Sequence, residues 1–276
     1  MIIGNKQFET KNHTYIMGIL NVTPDSFSDG GRYNDLDKAL KQAEKMISEG
    51  ADVIDVGGES TRPGYAGISS EEEIRRVFPV IEFLKNKFDI PVSVDTYKIE
   101  TAQKALEWGA DMINDIWGLK FGYDTARVRP NKMAAVIAGN KAACCLMHNK
   151  NNTNYENIIN DVKNGLSESI DIAVKNGIPA DKIIIDPGIG FGKTYEQNLT
   201  VIKELEKFND LGYPVLLGAS RKSFISKALD VPVEECLEGT LAVTAAAVMK
   251  GCAFVRVHDV RENKRVIKIM EAIQNG

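Results

Sequence analysis

Eight short apolar runs punctuate the chain, at residues 15–20, 53–56, 92–94, 112–113, 142–147, 183–185, 215–217 and 254–257. They show little polar alternation, which suits strands buried on both faces, the condition of a parallel sheet. Between them lie segments of helical periodicity over 36–49, 71–87, 99–108, 155–176, 198–208 and 239–250, and another follows over 263–272. Four of the helical segments end at Gly50, Gly109, Gly177 and Gly251, the residue type that caps a helix in the left-handed conformation. After Gly50, Gly109 and Gly251 a strand follows within a few residues. The recurring unit of helix, glycine and strand, set beside eight strand runs, predicts an α/β fold: a (β/α)₈ TIM barrel forming a single domain over residues 1–276. A doubly wound open sheet is the alternative.

Composition bounds the function classes. With 43% hydrophobic residues in 276, the chain supplies one large core and shows no linker or low-complexity stretch. A net charge of −4 argues against a nucleic-acid partner, and it means that any anionic ligand must be met by locally concentrated positive charge. The four cysteines show no metal-ligand or disulfide spacing, so buried free thiols are expected. No apolar run reaches the roughly 18 residues of a membrane span, and the first residues lack a basic region followed by an apolar stretch. A soluble, cytoplasmic protein is therefore expected, with no membrane partner.

In a barrel, the residues just after each strand line the C-terminal mouth, where active sites sit. Here those positions carry Asn21, Asp95, Asn114 and Asp115, His148, Asp186, Ser220-Arg221-Lys222, and Arg256 with His258. Turns favour Asp, Asn and Gly for purely structural reasons. As a set, however, these groups would each cost about 1–3 kcal/mol if buried without partners, which a ligand rich in donors and acceptors would supply. Two connections, 21–31 and 57–70, are longer than the usual βα loop and read as binding loops. Gly192-Lys193-Thr194 resembles the end of a phosphate-binding loop, but Pro187 stands where its first glycine is required, so nucleotide binding is not indicated. Ser220-Arg221-Lys222-Ser223 places two cations at the start of a short helix, a suitable anion site. Arg256 and His258 alternate along one strand and so face the same way, and Arg256 requires an anionic partner there.

These residues fall in motifs that resemble one family. Asn21-Val-Thr-Pro-Asp-Ser-Phe-Ser-Asp-Gly-Gly, Gly58-Glu-Ser-Thr-Arg-Pro-Gly, Ser93-Val-Asp-Thr, Ile113-Asn-Asp-Ile, Leu146-Met-His, Asp186-Pro-Gly-Ile-Gly-Phe-Gly-Lys, Ser220-Arg-Lys-Ser and Arg256-Val-His-Asp are similar, in order, to the motifs of dihydropteroate synthases, and they span about 15–260. The resemblance implies a transferase that condenses (7,8-dihydropterin-6-yl)methyl diphosphate with p-aminobenzoate in folate biosynthesis, with Mg²⁺ as cofactor. It implies that Asp95, Asn114 and Asp186 hydrogen-bond the pterin, that Ile116, Met147 and Phe191 pack on its faces, and that Lys222 bridges both substrates. Asn21 would help hold Mg²⁺, and Arg256 and His258, with Arg62 near the same mouth, would hold the diphosphate. Phe27, Thr61 and Pro63 would shape the p-aminobenzoate pocket, and Ser223 would receive its carboxylate. Lys222, Arg256, His258 and Asp95 are the residues expected to act on the reacting groups, and a homodimer formed through barrel helices is expected. Two departures from the family pattern affect loops only: Asn149-Lys150-Asn151-Asn152 after His148, and a longer stretch over 120–131 with Arg127 and Arg129. A methyltetrahydrofolate:corrinoid methyltransferase or a catalytically silent pterin-binding paralogue would share the pterin carboxylates, but neither would be expected to keep the lid and diphosphate motifs found here.

Overall fold

In the computed structural model every apolar run becomes a parallel barrel strand. The structure describes residues 1–23, 31–59, 67–123 and 130–276, with the backbone alone for 31–35. The chain opens with a short antiparallel hairpin, β1 (Ile2–Ile3) and β2 (Lys6–Gln7). The barrel strands are β3 (Tyr15–Asn21), β4 (Val53–Gly57), β5 (Val92–Asp95), β6 (Met112–Asp115), β7 (Ala143–Met147), β8 (Ile183–Asp186), β9 (Leu216–Leu217) and β10 (Phe254–Val257). They pair in parallel in the order β3 to β8 on one side and β3, β10, β9 on the other. A parallel bridge between Ile185 and Val215 closes the ring, with Ile185 N donating to Pro214 O at 3.0 Å. The barrel, not the open sheet, is thus the fold. Several strands extend beyond their apolar run to take in the polar end residue, such as Asn21, Asp95 and Asp186.

Helices α1 (Gly31–Glu49), α2 (Ser70–Lys87), α3 (Ile99–Glu107), α4 (Lys132–Gly139), α5 (Ile158–Lys175), α6 (Tyr195–Lys203), α7 (Ser223–Leu229), α8 (Leu237–Met249) and α9 (Val260–Asn275) surround the strands. The cap glycines Gly50, Gly109, Gly177 and Gly251 all have positive φ, between 75° and 99°. The expected helix over 198–208 is displaced. Thr194 and Gln197 form a reciprocal capping box that starts α6 at Tyr195, and a 3₁₀ segment, Leu205–Leu211, takes over its C-terminal part. α4 and the hairpin were not anticipated. α4 is eight residues long and mostly apolar, too short to display an amphipathic period.

Two apolar layers divide the core. The larger lies between strands and helices. The smaller fills the barrel and includes Met17, Val53, Met112, Ala143, Cys145, Ile184, Leu216 and Phe254. Ile3, from β1, and Phe8 join that inner layer from outside the barrel strands: Phe8 stacks edge-on against Tyr15 at 4.8 Å and lies 5.6 Å from Phe254, both strand-start residues. The hairpin is therefore a plug for the barrel floor. Phe8→Ala is expected to destabilise the fold by about 3–5 kcal/mol through the cavity it leaves, while turnover at 25 °C stays near wild type because the mouth is at the other end. Urea titration checks this, and a loss under about 1 kcal/mol would show that the floor is sealed without Phe8. All four cysteines are buried free thiols, and among the described residues no helix is long and apolar enough to cross a membrane.

Candidate functional site

Side chains alternate along a strand, so the inner-layer residues fix which neighbours also face the axis. Two positions beyond Met112, Cys145, Ile184 and Phe254 stand Asn114, Met147, Asp186 and Arg256, and two beyond Val53 stands Asp55. The polar ring expected at the mouth therefore forms from Asp55, Asp95, Asn114, Asp186 and Arg256, with Met147 buried beside them. Not every strand-end group joins it. Asp115 faces away from the axis and accepts from Trp117 N and Leu119 N, each at 2.8 Å, so it shapes a turn. His148 also turns outward, toward Lys193.

Arg256 finds its anionic partners within the barrel. Nε donates to Asp55 Oδ2 at 2.6 Å and Nη2 to Asp95 Oδ2 at 2.7 Å, while Asn114 Nδ2 shares the same Asp55 oxygen at 3.0 Å. Asp55 was missed in the sequence, although a carboxylate inside Val53-Ile-Asp-Val is as anomalous as Arg256 in its own strand. Among the described residues the buried Oδ1 atoms of Asp55 and Asp95, together with Ser93 Oγ, have no hydrogen-bond partner. Such atoms call for a ligand or water. Burial pushes the Asp95 carboxyl up, and nearby Asp55 adds to the rise while Arg256 opposes it. Asp186 is likewise raised by burial and held back by Lys222, the Gly188 N–H, Lys193 and Arg256. Its Oδ1 accepts from Gly188 N at 2.7 Å.

Lys222 enters this ring from the turn after β9. Its ammonium donates to the Ile189 carbonyl, lies 4.6 Å from the centre of the Phe191 ring, and is pushed down to about 8 by burial against the pull of Asp186. The close approach depends on Gly190, where a Cβ would lie 3.0 Å from Lys222 Cδ at a φ of 82°. The neighbouring cation does not share the pocket as expected. Arg221, with a left-handed φ of 53°, sends its guanidinium to Asp259 in a bidentate pair at 3.0 and 2.6 Å. Next to it Ser220 Oγ lies 3.0 Å from His258 Nδ1. These two links join the turn after β9 to the end of β10. Ser223 is exposed at the first position of α7, Ile116 is buried after β6, and Asn21 lies half-buried at the end of β3. Phe27, Thr61, Arg62 and Pro63 lie outside the described residues.

The stem of the second long loop is also fixed. Glu59 accepts from Ile68 N at 3.0 Å, from Tyr97 Oη at 2.9 Å and from the Lys98 ammonium, and so ties both ends of the segment together. Lys98 is 3.5 Å from the buried Glu73, which accepts from Thr96 Oγ1 at 3.0 Å and Thr101 Oγ1 at 2.7 Å. Burial raises the Glu73 carboxyl. Glu59 falls inside one of the quoted motifs, but nothing in its spacing pointed to this partner set.

The assembled site offers carboxylate and amide acceptors on one arc, from β4, β5, β6 and β8, and cations from β10 and the turn after β9. It therefore suits a flat molecule with several N–H donors on one edge and an anionic group on the other. Known proteins agree with this chemistry. The family profile described as pterin binding enzyme matches residues 17–258. The dihydropteroate synthase of Clostridium beijerinckii is 57% identical and covers 99% of each chain. Among solved structures, the dihydropteroate synthase of Clostridium difficile, determined in the presence of pteroic acid, superposes with a TM-score of 0.92 at 49% identity, covering 98% of this chain and 100% of that one. The enzyme of Xanthomonas albilineans, solved with 4-aminobenzoic acid, gives a TM-score of 0.89 at 37% identity over 96% and 94% of the two chains. By its profile match and its full-length relatives, this chain belongs to the pterin-binding enzymes and, among them, to the dihydropteroate synthases.

Proposed function

We propose that the protein condenses (7,8-dihydropterin-6-yl)methyl diphosphate with p-aminobenzoate, giving 7,8-dihydropteroate and diphosphate. The observation that carries this reading is the Asp186 carboxylate, 5% exposed at the axis, with one oxygen held by Gly188 N and with Lys222 and Arg256 close enough to perturb it. An amino-pyrimidinone edge, with two adjacent N–H groups, is a natural partner for such a carboxylate. Asn114 and the unpartnered Oδ1 of Asp95 add acceptors and donors along the same arc. Met147, Ile116 and Phe191 would cover the ring faces.

In the reaction the bond from the methylene carbon to the diphosphate oxygen breaks, and the electron pair leaves with the diphosphate. The electron-rich pterin delocalises the cation that remains, the aromatic amine attacks it, and the new nitrogen–carbon bond forms with loss of a proton from nitrogen. The amine lone pair is free at neutral pH, so no strong general base is required. Among the described residues, Arg256 uses only Nε and Nη2 toward the carboxylates, which leaves Nη1 for the leaving group, with His258 just past the end of the same strand. Lys222, between the Ile189 carbonyl and the Phe191 ring, would meet the pterin edge and the incoming amine.

Mg²⁺ fits the residues present. Such an ion needs only one or two protein oxygens beside phosphate and water, and the Asn21 amide at the mouth makes no hydrogen bond among the described residues. Asn21 would hold it, and the ion would neutralise charge on the departing diphosphate. Phe27, Thr61, Arg62 and Pro63 would complete the amine side, with Ser223 facing the carboxylate.

The test is diphosphate release by purified protein with the pterin diphosphate, p-aminobenzoate and Mg²⁺, each omitted in turn. Release coupled to dihydropteroate formation supports the reading, and pterin binding without product refutes it. A homodimer is proposed on one surface: α8 is apolar on its outward side as well, and Met249, Ile269 and Ile273 are 54%, 57% and 63% exposed where α8 and α9 lie together. Met249→Glu with Ile273→Glu is expected to convert a dimer to a monomer in light scattering. An unchanged mass would place the interface elsewhere.

A further inference from the structure

Lys193 is a buried amine outside the set of ligand contacts, its ammonium pushed down to about 7 by burial against the pull of Asp186. It is 9% exposed, yet no carboxylate lies within 4 Å of it among the described residues. Its three protons instead meet three neutral acceptors: Gly188 O at 2.8 Å, Phe191 O at 3.0 Å and His148 Nδ1 at 3.2 Å. Burial and the neighbouring lysines Lys193, Lys120 and Lys150 push the His148 imidazolium down to about 3, so the ring is neutral and Nδ1 is free to accept. The backbone that Lys193 grips belongs to residues 186–192, which are confined on both sides. A Cβ at Gly188 would lie 1.9 Å from His148 O, and one at Gly192 would lie 2.3 Å from Lys150 O. On the opposite side the Ile189 carbonyl receives Lys222.

We infer that Lys193 is a positioning residue for the pterin pocket: its ammonium staples the turn that presents Asp186, the Ile189 carbonyl and the Phe191 ring to the ligand. The assignment rests on the pterin reading of the site. A neutral hydrogen-bonding side chain could satisfy one of these acceptors, but only a protonated amine carries three donors on one tetrahedral atom. The staple also places positive charge near Asp186, which helps to keep that carboxylate ionised. The charged groups facing Asp186 are Lys222, Lys193 and Arg256, and the buried thiols of Cys145 and Cys252 feel it. Those around Lys193 are Asp186, Lys222 and neutral His148, with Lys120 and Lys150 beyond the imidazole.

Lys193→Met keeps the length of the side chain and removes its donors. It is expected to raise KM for the pterin diphosphate at least about tenfold, with KM for p-aminobenzoate within about twofold of wild type. With the charge gone, the Asp186 carboxyl is easier to protonate, so the acid limb of kcat/KM for the pterin moves to higher pH. A change in stability alone would not produce that split or that movement. Unchanged pterin KM together with an unmoved acid limb overturns the assignment. Should Lys193→Met be insoluble, His148→Asn and His148→Leu decide: the amide oxygen replaces the lost acceptor and should keep pterin affinity, whereas leucine should weaken it. Equal affinities for the two also overturn it. Pterin dissociation constants from fluorescence quenching read the staple even if the wild-type protein forms no product, which separates this failure from failure of the proposed reaction.

Discussion

Asp186→Asn is expected to lower kcat/KM for the pterin diphosphate by roughly 100-fold or more, the equivalent of one charge-assisted hydrogen bond of about 1.5–3 kcal/mol lost and a donor set against a donor. The amide oxygen can still accept from Gly188 N, so the turn keeps its 2.7 Å contact. The amide nitrogen then occupies the place of the second carboxylate oxygen and confronts the N–H groups of the ligand. Stability should move the other way. The Asp186 carboxyl is raised by burial, so the folded state is strained by its charge at neutral pH, and the neutral amide removes that strain. A melting temperature equal to or above wild type, together with the loss in kcat/KM, is the combined signature of a group retained for binding rather than for folding. Activity within about threefold of wild type would remove Asp186 from the pterin site.

The barrel was legible because its signal is repeated. Each apolar run on its own could have been a buried helix segment, but eight of them, separated by helical periods and glycine caps, left little choice. Legibility failed where a local element has no period to show, as in the short helix α4 and the two-residue strands of the hairpin. At the site, Asp95, Asn114, Asp186 and Arg256 were legible as polar residues at strand ends, but the same criterion also picks Asp115 and His148, which face away from the axis. What could not be read was who pairs with whom. Arg256 and Asp55 are 201 residues apart, and the Glu59 clamp closes only when α2, the segment after β5 and the loop stem meet. The two cations Arg221 and Lys222 look alike in sequence, yet a single left-handed residue sends one to Asp259 and leaves the other over the Ile189 carbonyl beside the polar ring. Strain of that kind, at a position next to a binding residue, is a familiar companion of functional turns.

Arg256→Met should test the other half of the site, because the same guanidinium serves folding and binding. Removing it leaves Asp55 and Asp95 facing each other near the axis with no cation between them. Breaking a buried ion network from one side costs about 3–5 kcal/mol, so a clear fall in melting temperature is expected at pH 8. The size of that fall should depend on pH in a defined direction. Asp95 is already raised to about 7 in the presence of Arg256, which lowers it, so the variant raises it further. A carboxyl whose folded pKa lies above its unfolded value favours the folded state at low pH and loses that contribution as pH rises through the folded pKa. The part of the deficit that Asp95 causes should therefore be small below about pH 7, where the carboxyl is protonated in both folded proteins, and grow between pH 7 and pH 9. A deficit that stays constant over this range would mean that lost packing of the arginine stem, and not uncompensated charge, is responsible. Binding gives an independent reading on the same variant. Affinity for the pterin diphosphate should fall at least about tenfold, and that for a pterin lacking the diphosphate by under about threefold, since only the former offers Nη1 an anionic partner. Equal losses for the two ligands would mean that Arg256 supports the pterin arc alone, through Asp55 and Asp95, and that the diphosphate is held by other cations at the mouth.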